Sequence, residues 1–361
     1  MKILYVIGSR LLSGAEDHLL DMAVWFRVVG VETVFLLRKE SQLEARLTEL
    51  GIRSHPVFVP GGKAGLIPRL ATAIRAEQPD VISINREHNI FPTCLATFLV
   101  RPFLKRKPKM AAVFHTPTGR RYPGLGSFDG VIGTSEYTAE TFVRTNPAIR
   151  EKTEVIHYGI RLPEVDPVLK LTVDRPRRFF TGRKFPLIGM AGELWKNQEE
   201  LVPAASLLIK EFPEITIAFI GGYEGKEELQ SKIDAAGLSR HFILTGRIPR
   251  DRMADAFFDL DLSVSTHRNE GFGIVHIESL AAYTPVVAYN SGGLVEIIRN
   301  GGGLLVDGGT AEFSAAVAAL LKDDSRRFAL GREGYRVVVE HFSIDAMGRR
   351  HLKFYRRMLS A

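Results

Sequence analysis

Apolar runs of strand length alternate with helically spaced apolar positions along most of the chain. Residues 3–7 form a continuous apolar run that stops at Gly8-Ser9, and Leu19, Leu20, Met22, Ala23 and Phe26 follow at helical spacing until Gly30. Residues 31–37 predict a second strand, and 42–50 a helix closed by Gly51. Further strands are expected at 81–84, 110–114, 131–134 and 153–157. Pro163, Pro167, Pro176 and Pro186 then punctuate a segment without clean periodicity, which reads as an interdomain linker over 161–186. After it the alternation restarts, with strands at 187–190, 215–220, 242–245, 260–265, 286–288 and 304–306. Helices are expected between them at 199–211, 227–236, 253–258 and 294–299, and through the remainder of the chain. Strands separated by helices argue for parallel sheets covered on both faces. The expected architecture is therefore α/β, with two doubly wound domains facing a cleft, the first over 1–163 and the second over 164–342. Ligands of such sheets bind at the carboxyl ends of strands, which places Gly14, Asn85 and His115 in candidate ligand loops.

Composition narrows the class. The 361 residues suffice for two domains of ordinary size, and 45% hydrophobic with 25% charged residues excludes a disordered or fibrous chain. One cysteine, Cys94, excludes a disulfide framework and a cysteine zinc site, and fits a reducing compartment. The first ten residues read as a strand rather than a signal peptide. No apolar run reaches the roughly 20 residues of a spanning helix. The longest, 90–104, is interrupted by Pro92, Arg101 and Pro102. Charge is unevenly spread: residues 1–163 hold 22 Lys and Arg against 15 Asp and Glu, whereas the rest hold 26 of each. Such a basic half admits nucleic acid or an anionic membrane surface as partner. The run Arg101, Lys105, Arg106, Lys107 and Lys109 follows the apolar segment 90–104, a pairing that suits interfacial docking. A solvated loop beside a core helix is the plainer alternative.

Candidate chemistry centres on Glu270-Gly271-Phe272-Gly273 and Glu278, eight positions beyond the first carboxylate. The apolar run 274–282 predicts a buried helix, with Gly-Phe-Gly as its N-terminal turn. Unpaired N–H groups and the helix dipole there favour an anion, and the two carboxylates suit polyols, so the stretch fits a sugar phosphate. An ordinary strand–turn–helix with two solvated glutamates fits the spacing as well. Glycines follow successive strands at Gly192, Gly221-Gly222, Gly246, Gly271/Gly273 and Gly292-Gly293, as where backbone approaches a ligand closely. Lys196 stands in one of these turns and can neutralise a phosphate as a point charge. Dinucleotide and P-loop fingerprints are missing, as are nucleophile triads and metal-ligand spacings.

The stretch STHRNEGFGIVHIESLAAYTPVVAYNSGGLVEIIRNGGGLLV closely resembles the signature of glycosyltransferase family 4, the retaining GT-B glycosyltransferases. Landmarks agree in order along the whole chain: Ser13-Gly14-Ala15-Glu16 as a Gly-loop, Phe114-His115-Thr116, the segment from Phe128 to Glu136, the segment from Val155 to Ile160, and Gly192 to Gln198. The resemblance implies two Rossmann-like domains, the first on the acceptor side and the second binding the nucleotide sugar, with a C-terminal helix, 343–361, returning to the first. It also implies a metal-independent hexosyltransferase that needs no cofactor beyond its donor, a nucleoside-diphosphate sugar. Glu270 would contact the transferred sugar with the amides of Gly271, Phe272 and Gly273 beside it, and Glu278 would bind the ribose. Lys196 and the Gly14 loop would balance the diphosphate. The main chain at Arg247-Ile248 would touch the base, and His115 would reach the donor sugar as the second catalytic group.

Departures from the family pattern are informative. Glu193 replaces a usual Arg near the diphosphate, so either it points away while Arg183, Arg247 or Arg268 substitutes, or donor affinity is weak. Tyr158 replaces a usual Asn, Thr266-His267 a Pro-Ser, and Tyr283 a Gly. Because the acceptor domain holds the surplus positive charge, and 349–361 adds five basic residues without an acid, the expected acceptor is a glycan or lipid-linked hydroxyl of envelope polysaccharide, lipopolysaccharide or glycolipid assembly. The expected location is the cytoplasm or the inner face of the membrane, with no nucleic acid partner. A nucleotide-sugar epimerase and a non-catalytic nucleotide- or glycan-binding homologue are the alternatives.

Overall fold

The chain alternates strand and helix as expected, and the strands gather into two all-parallel sheets, seen in a computed structural model. It describes residues 1–9, 14–59, 65–171, 175–176, 178–183, 185–222 and 224–360. Ser13 lies outside them. Contacts divide the chain into two units, Met1–Arg161 with Ser343–Ala361, and Leu162–Phe342.

The first unit is built on β1 (Lys2–Val6), β2 (Glu32–Arg38), β3 (Ser54–Phe58), β4 (Val81–Ile84), β5 (Lys109–Phe114), β6 (Gly130–Gly133) and β7 (Thr153–Val155). Their order, β3-β2-β1-β4-β5-β6-β7, reverses direction of growth between β1 and β4. Most positions in the central strands are buried, as a sheet covered on both faces requires. β3 has no counterpart in the sequence reading. It contains Pro56, which cannot donate to a ladder, and it is tolerated because β3 is an edge strand whose register slips beside Pro56. The C-terminal helix Ile344–Ser360 belongs to this unit. It approaches so closely that a Cβ on Gly130 would stand 2.5 Å from the Phe354 ring, and one on Gly159 2.3 Å from the Ser343 carbonyl. The Tyr355 hydroxyl donates to Ser83 Oγ at 3.2 Å.

The second unit carries β8 (Leu187–Ala191), β9 (Thr216–Ile220), β10 (Phe242–Gly246), β11 (Leu262–Ser265), β12 (Val286–Tyr289) and β13 (Gly303–Val306), in the order β10-β9-β8-β11-β12-β13. The stretch 161–186, read as a linker, is a correction: from Lys170 to Phe180 its described residues are riveted to this unit. Lys170 is buried and donates to the Phe258 and Leu260 carbonyls at 2.7 and 2.6 Å and to Thr284 Oγ1 at 2.7 Å. Arg175, also buried, bonds the Leu260 carbonyl and pairs with Asp261 at 2.9 Å. Buried Asp259 accepts the backbone N–H groups of Arg178, Phe179 and Phe180. These cations satisfy carbonyls left open at the end of the helix Arg250–Asp259.

Two stability outcomes follow. Lys170→Met removes the shorter donor from the Phe258 and Leu260 carbonyls, which Arg175 still contacts at 3.3 and 3.0 Å, and should cost about 2 kcal/mol of unfolding free energy, read by urea denaturation. A loss under about 0.5 kcal/mol would show that water reaches the site instead. Burial pushes His351 down to about 4, although its Nδ1 lies 3.1 Å from the Met347 carbonyl. A depressed value means the unfolded chain takes up the proton first, so stability is lost as pH falls below the ordinary histidine value of about 6.5. The urea midpoint should drop between about pH 7 and about pH 5, and drop less in His351→Gln.

Candidate functional site

The second sheet grows outward in one direction from β8 through β9 to β10, and in the other from β11 through β12 to β13. β8 and β11 are parallel neighbours, with Leu262 opposite Ile188, so the loops after their carboxyl ends emerge side by side at the point where strand order reverses. Lys196 lies on the first loop and Glu270 on the second. Lys196 Nζ donates to Glu270 Oε2 at 2.7 Å. Two site residues read separately from the sequence are thus one ion pair, with Glu270 only 9% exposed and Lys196 half-buried.

The backbone around Glu270 is held by the turn that follows β12. Gly293 N–H, after β12, donates to the Glu270 carbonyl at 2.8 Å. Gly292, with φ +68°, passes so close that a Cβ there would stand 2.9 Å from that carbonyl oxygen. Ser291 Oγ bonds the Arg268 carbonyl. The helix Ile274–Ala281 then starts at Gly273, φ 94°, with no side-chain cap. Phe272 turns inward, 2% exposed, against Phe342, Gly271 and Gly273 are buried as well, and the Gly271 N–H donates to Glu270 Oε1 at 3.2 Å. Glu278 is half-buried on the second turn of that helix.

Electrostatics follow the burial. Desolvation raises the Glu270 carboxyl, but the Lys196 charge and hydrogen bond, with His276 and His267 behind them, bring it below the ordinary carboxylate value. His276 is fully enclosed, and burial pushes it down to about 4 against the pull of Glu270. It is neutral, and its Nδ1 has no hydrogen-bond partner among the described residues. His267 is also lowered by burial and donates from Nδ1 to Asn197 Oδ1 at 2.9 Å. Thr266 Oγ1 donates to the Asn197 carbonyl at 2.6 Å, which ties the β11 loop to the β8 loop a second time.

Glu193 has a partner: Arg247 donates to its Oε1 at 2.7 Å, so the carboxylate is neutralised and Arg247 is occupied. Ile248 packs into the core around Phe180 and Leu187. Arg268 stacks 3.6 Å above the Tyr289 ring.

In the first unit Gly14 is exposed at the start of the helix Gly14–Val28. Arg86, after β4, reaches across the strand-order reversal to Ser9 Oγ and to buried Glu16. His115 is half-buried and lines a pocket with Asn85, Thr134 and Tyr158, which follow β4, β6 and β7. Its Nδ1 is hydrogen-bonded to the Tyr158 hydroxyl, and burial pushes it down to about 4. Among the described residues no three His, Cys, Asp or Glu side chains form a metal-binding group.

Sequence reading gave no role to His276, His267 or Asn197. His276 was absorbed into an apolar helical run. Its spacing of three from Gly273 was the available signal, since a Cβ on Gly273 would meet the imidazole at 2.7 Å. The Tyr158 partnership with His115 had no local signal at all.

Residues 176–337 match the family described as Glycosyl transferases group 1, and residues 12–163 match Glycosyltransferase Family 4. A D-inositol 3-phosphate glycosyltransferase of Thermobispora bispora is 30% identical over 56% of this chain and 50% of its own. A GDP-mannose-dependent alpha-(1-6)-phosphatidylinositol monomannoside mannosyltransferase of Mycobacterium tuberculosis is 31% identical over 63% of this chain and 62% of its own. The chain thus spans about two-fifths to three-fifths of the length of the curated relatives it matches. Among solved structures, a glycosyltransferase from Rickettsia africae superposes with a TM-score of 0.82 at 19% identity, covering 99% of this chain and 98% of that one. HepE of Anabaena, solved in complex with UDP-glucose, gives 0.78 at 20% identity over 100% and 99%. The two parallel sheets are those of the GT-B type, and the chain belongs to the group 1, family 4 glycosyltransferases.

Proposed function

We propose that the protein is a retaining glycosyltransferase that moves a sugar from a nucleoside-diphosphate sugar to the hydroxyl of a glycan or lipid-linked acceptor, in cell-envelope polysaccharide, lipopolysaccharide or glycolipid assembly. The observation that carries this reading is the Lys196–Glu270 pair at the strand-order reversal, beside the uncapped helix start at Gly273. Breaking the bond from the anomeric carbon to the diphosphate leaves positive charge on the sugar and negative charge on the phosphates. Lysine has three N–H donors, and Glu270 takes one, so the ammonium has donors left for the leaving phosphates. The main chain of Gly271, Phe272 and Gly273, where the Gly271 N–H also steadies Glu270 Oε1 at 3.2 Å, and the helix dipole add to that stabilisation, which is the principal catalytic task and requires no metal. Glu270, ionised, sits against the transferred sugar, where it accepts hydroxyl hydrogen bonds and opposes the developing positive charge. Glu278 accepts from the ribose and the main chain at Arg247-Ile248 meets the base, while Gly14 and His115 keep the donor roles that the resemblance implies. The names of similar proteins, which include a GDP-mannose-dependent enzyme and a UDP-glucose complex, support a nucleotide donor without choosing its base.

A non-catalytic reading drew its main support from repulsion between Glu193 and a diphosphate. The Arg247 partner offsets the Glu193 charge and counts against that reading.

Incubation with a panel of UDP-, GDP- and ADP-sugars, without acceptor, should release nucleoside diphosphate from one base class. Release should vanish in Glu270→Ala, whereas binding that persists with no turnover of any donor would sink the transfer reading. Lys196→Ala should lower kcat/KM by about a hundredfold or more, the usual cost of one donor to a developing charge. It should also change the pH profile. With Lys196 gone, burial acts on Glu270 without its main opponent and raises its carboxyl, so the acidic limb should move to higher pH. An unmoved limb would mean that Glu270 does not govern turnover.

A further inference from the structure

The helix Ile90–Val100 in the first unit is patterned the wrong way round. Its inward face carries Thr93, Ala96, Thr97 and Val100, all buried, and packs on the helix Leu66–Glu77. Its outward face carries the large apolar groups: Phe91 is 66% exposed, Phe98 69% and Leu99 53%. Phe91, Leu95 and Phe98 recur at spacings of four and three, so they share one stripe, and the helix has no charged residue on any face. A helix that buries threonine while exposing phenylalanine presents a surface that water does not favour.

The stripe continues into a basic edge. Phe103 is 57% exposed and stacks under the Arg75 guanidinium, whose carbon lies 4.6 Å from the ring centroid. Gln78 pins the turn by donating to the Phe103 carbonyl at 3.2 Å and accepting from Lys105 N–H at 2.8 Å. Arg101, Lys105, Arg106 and Lys107 stand exposed around it, with no ion-pair partner among the described residues. The C-terminal helix, the other basic segment, differs. There Arg349 pairs with Asp345 and Arg357 with Glu154, and its apolar residues Met347, Phe354 and Met358 face inward.

We propose that the stripe Phe91–Leu95–Phe98–Leu99–Phe103, with its rim of Arg101, Lys105, Arg106 and Lys107, docks the protein on an anionic phospholipid surface. The rings enter the boundary between headgroups and acyl chains, and the cations meet lipid phosphates. A second copy of the chain fits less well, because a two-fold contact through this face would bring the two basic rims together. The inference is independent of which donor is used and of whether transfer occurs.

Co-sedimentation of the full chain with phosphatidylcholine vesicles, with and without phosphatidylglycerol, tests it. Binding should require the anionic lipid and weaken in salt. Each neutralised cation should weaken partitioning about fivefold, so Lys105→Gln with Arg106→Gln and Lys107→Gln should lower it about a hundredfold. Phe98→Ser with Phe103→Ser, at exposed positions and checked for an unchanged circular dichroism spectrum, should lower it at least tenfold. Lys353→Gln with Arg356→Gln on the C-terminal helix should leave binding intact. The proposal is overturned by absence of binding to the anionic vesicles, by loss in the C-terminal variant alone, or by a dimer in sedimentation velocity that Phe98→Ser dissolves.

Discussion

The contact between Lys196 and Glu270 depends on the topology of the second sheet more than on either residue. The two positions lie 74 residues apart, and only the adjacency of β8 and β11 brings their loops together. A carboxylate this enclosed is unfavourable alone, since burial raises its proton affinity. The lysine reverses that preference, and the clamp of Gly292 and Gly293 on the Glu270 backbone fixes where the carboxylate can point. The pair is weak evidence for stability, because two charges were desolvated to form it. The two loops that carry it each hold a residue in the left-handed region, Asn197 at φ 61° and Gly273 at φ 94°.

The first sheet repeats the arrangement with different chemistry. Where β1 and β4 meet, Arg86 joins the loop after β4 to Ser9 and to buried Glu16. Each sheet thus carries a buried carboxylate and a cation at its reversal point, the place where helices on opposite faces diverge and leave backbone uncovered. In one case the cation is Arg, whose fork fixes geometry; in the other it is Lys, whose point charge can be redirected. That difference assigns structural stiffness to the first pair and adjustable electrostatics to the second.

Much of this was legible in the sequence because strand and helix periods survive at every central element. The glutamates and Gly-Phe-Gly declared themselves through spacing and through resemblance. What escaped was whatever long-range pairing decides. Glu193 looked like an obstacle to phosphate until Arg247, 54 residues on, was seen to hold it. Residues 161–186 looked like a linker because proline and mixed charge signal a loop, yet Lys170 and Arg175 act as buried donors to carbonyls more than 80 residues away. β3 was lost to Pro56, whose exclusion from strands holds only for central ones.

Local rules are broken in opposite senses at two places, and the contrast bears on both. Around Glu270 polar groups are buried: an ion pair, a neutral His276 with an unpartnered Nδ1, and His267 held by Asn197. Along Ile90–Val100 apolar groups are exposed while threonines are buried. Neither arrangement lowers the free energy of an isolated chain, and a sequence free to optimise stability would exchange them. Conflicts between local preference and global fold concentrate where a ligand completes the environment. The buried polar cluster, made of single donors and a carboxylate, has the chemistry of the small charged donor proposed for it. The exposed stripe has the chemistry of the extended apolar surface with an anionic margin proposed for it. One chain carrying both kinds of incompleteness is what transfer from a water-soluble donor to a substrate at an interface would demand of it.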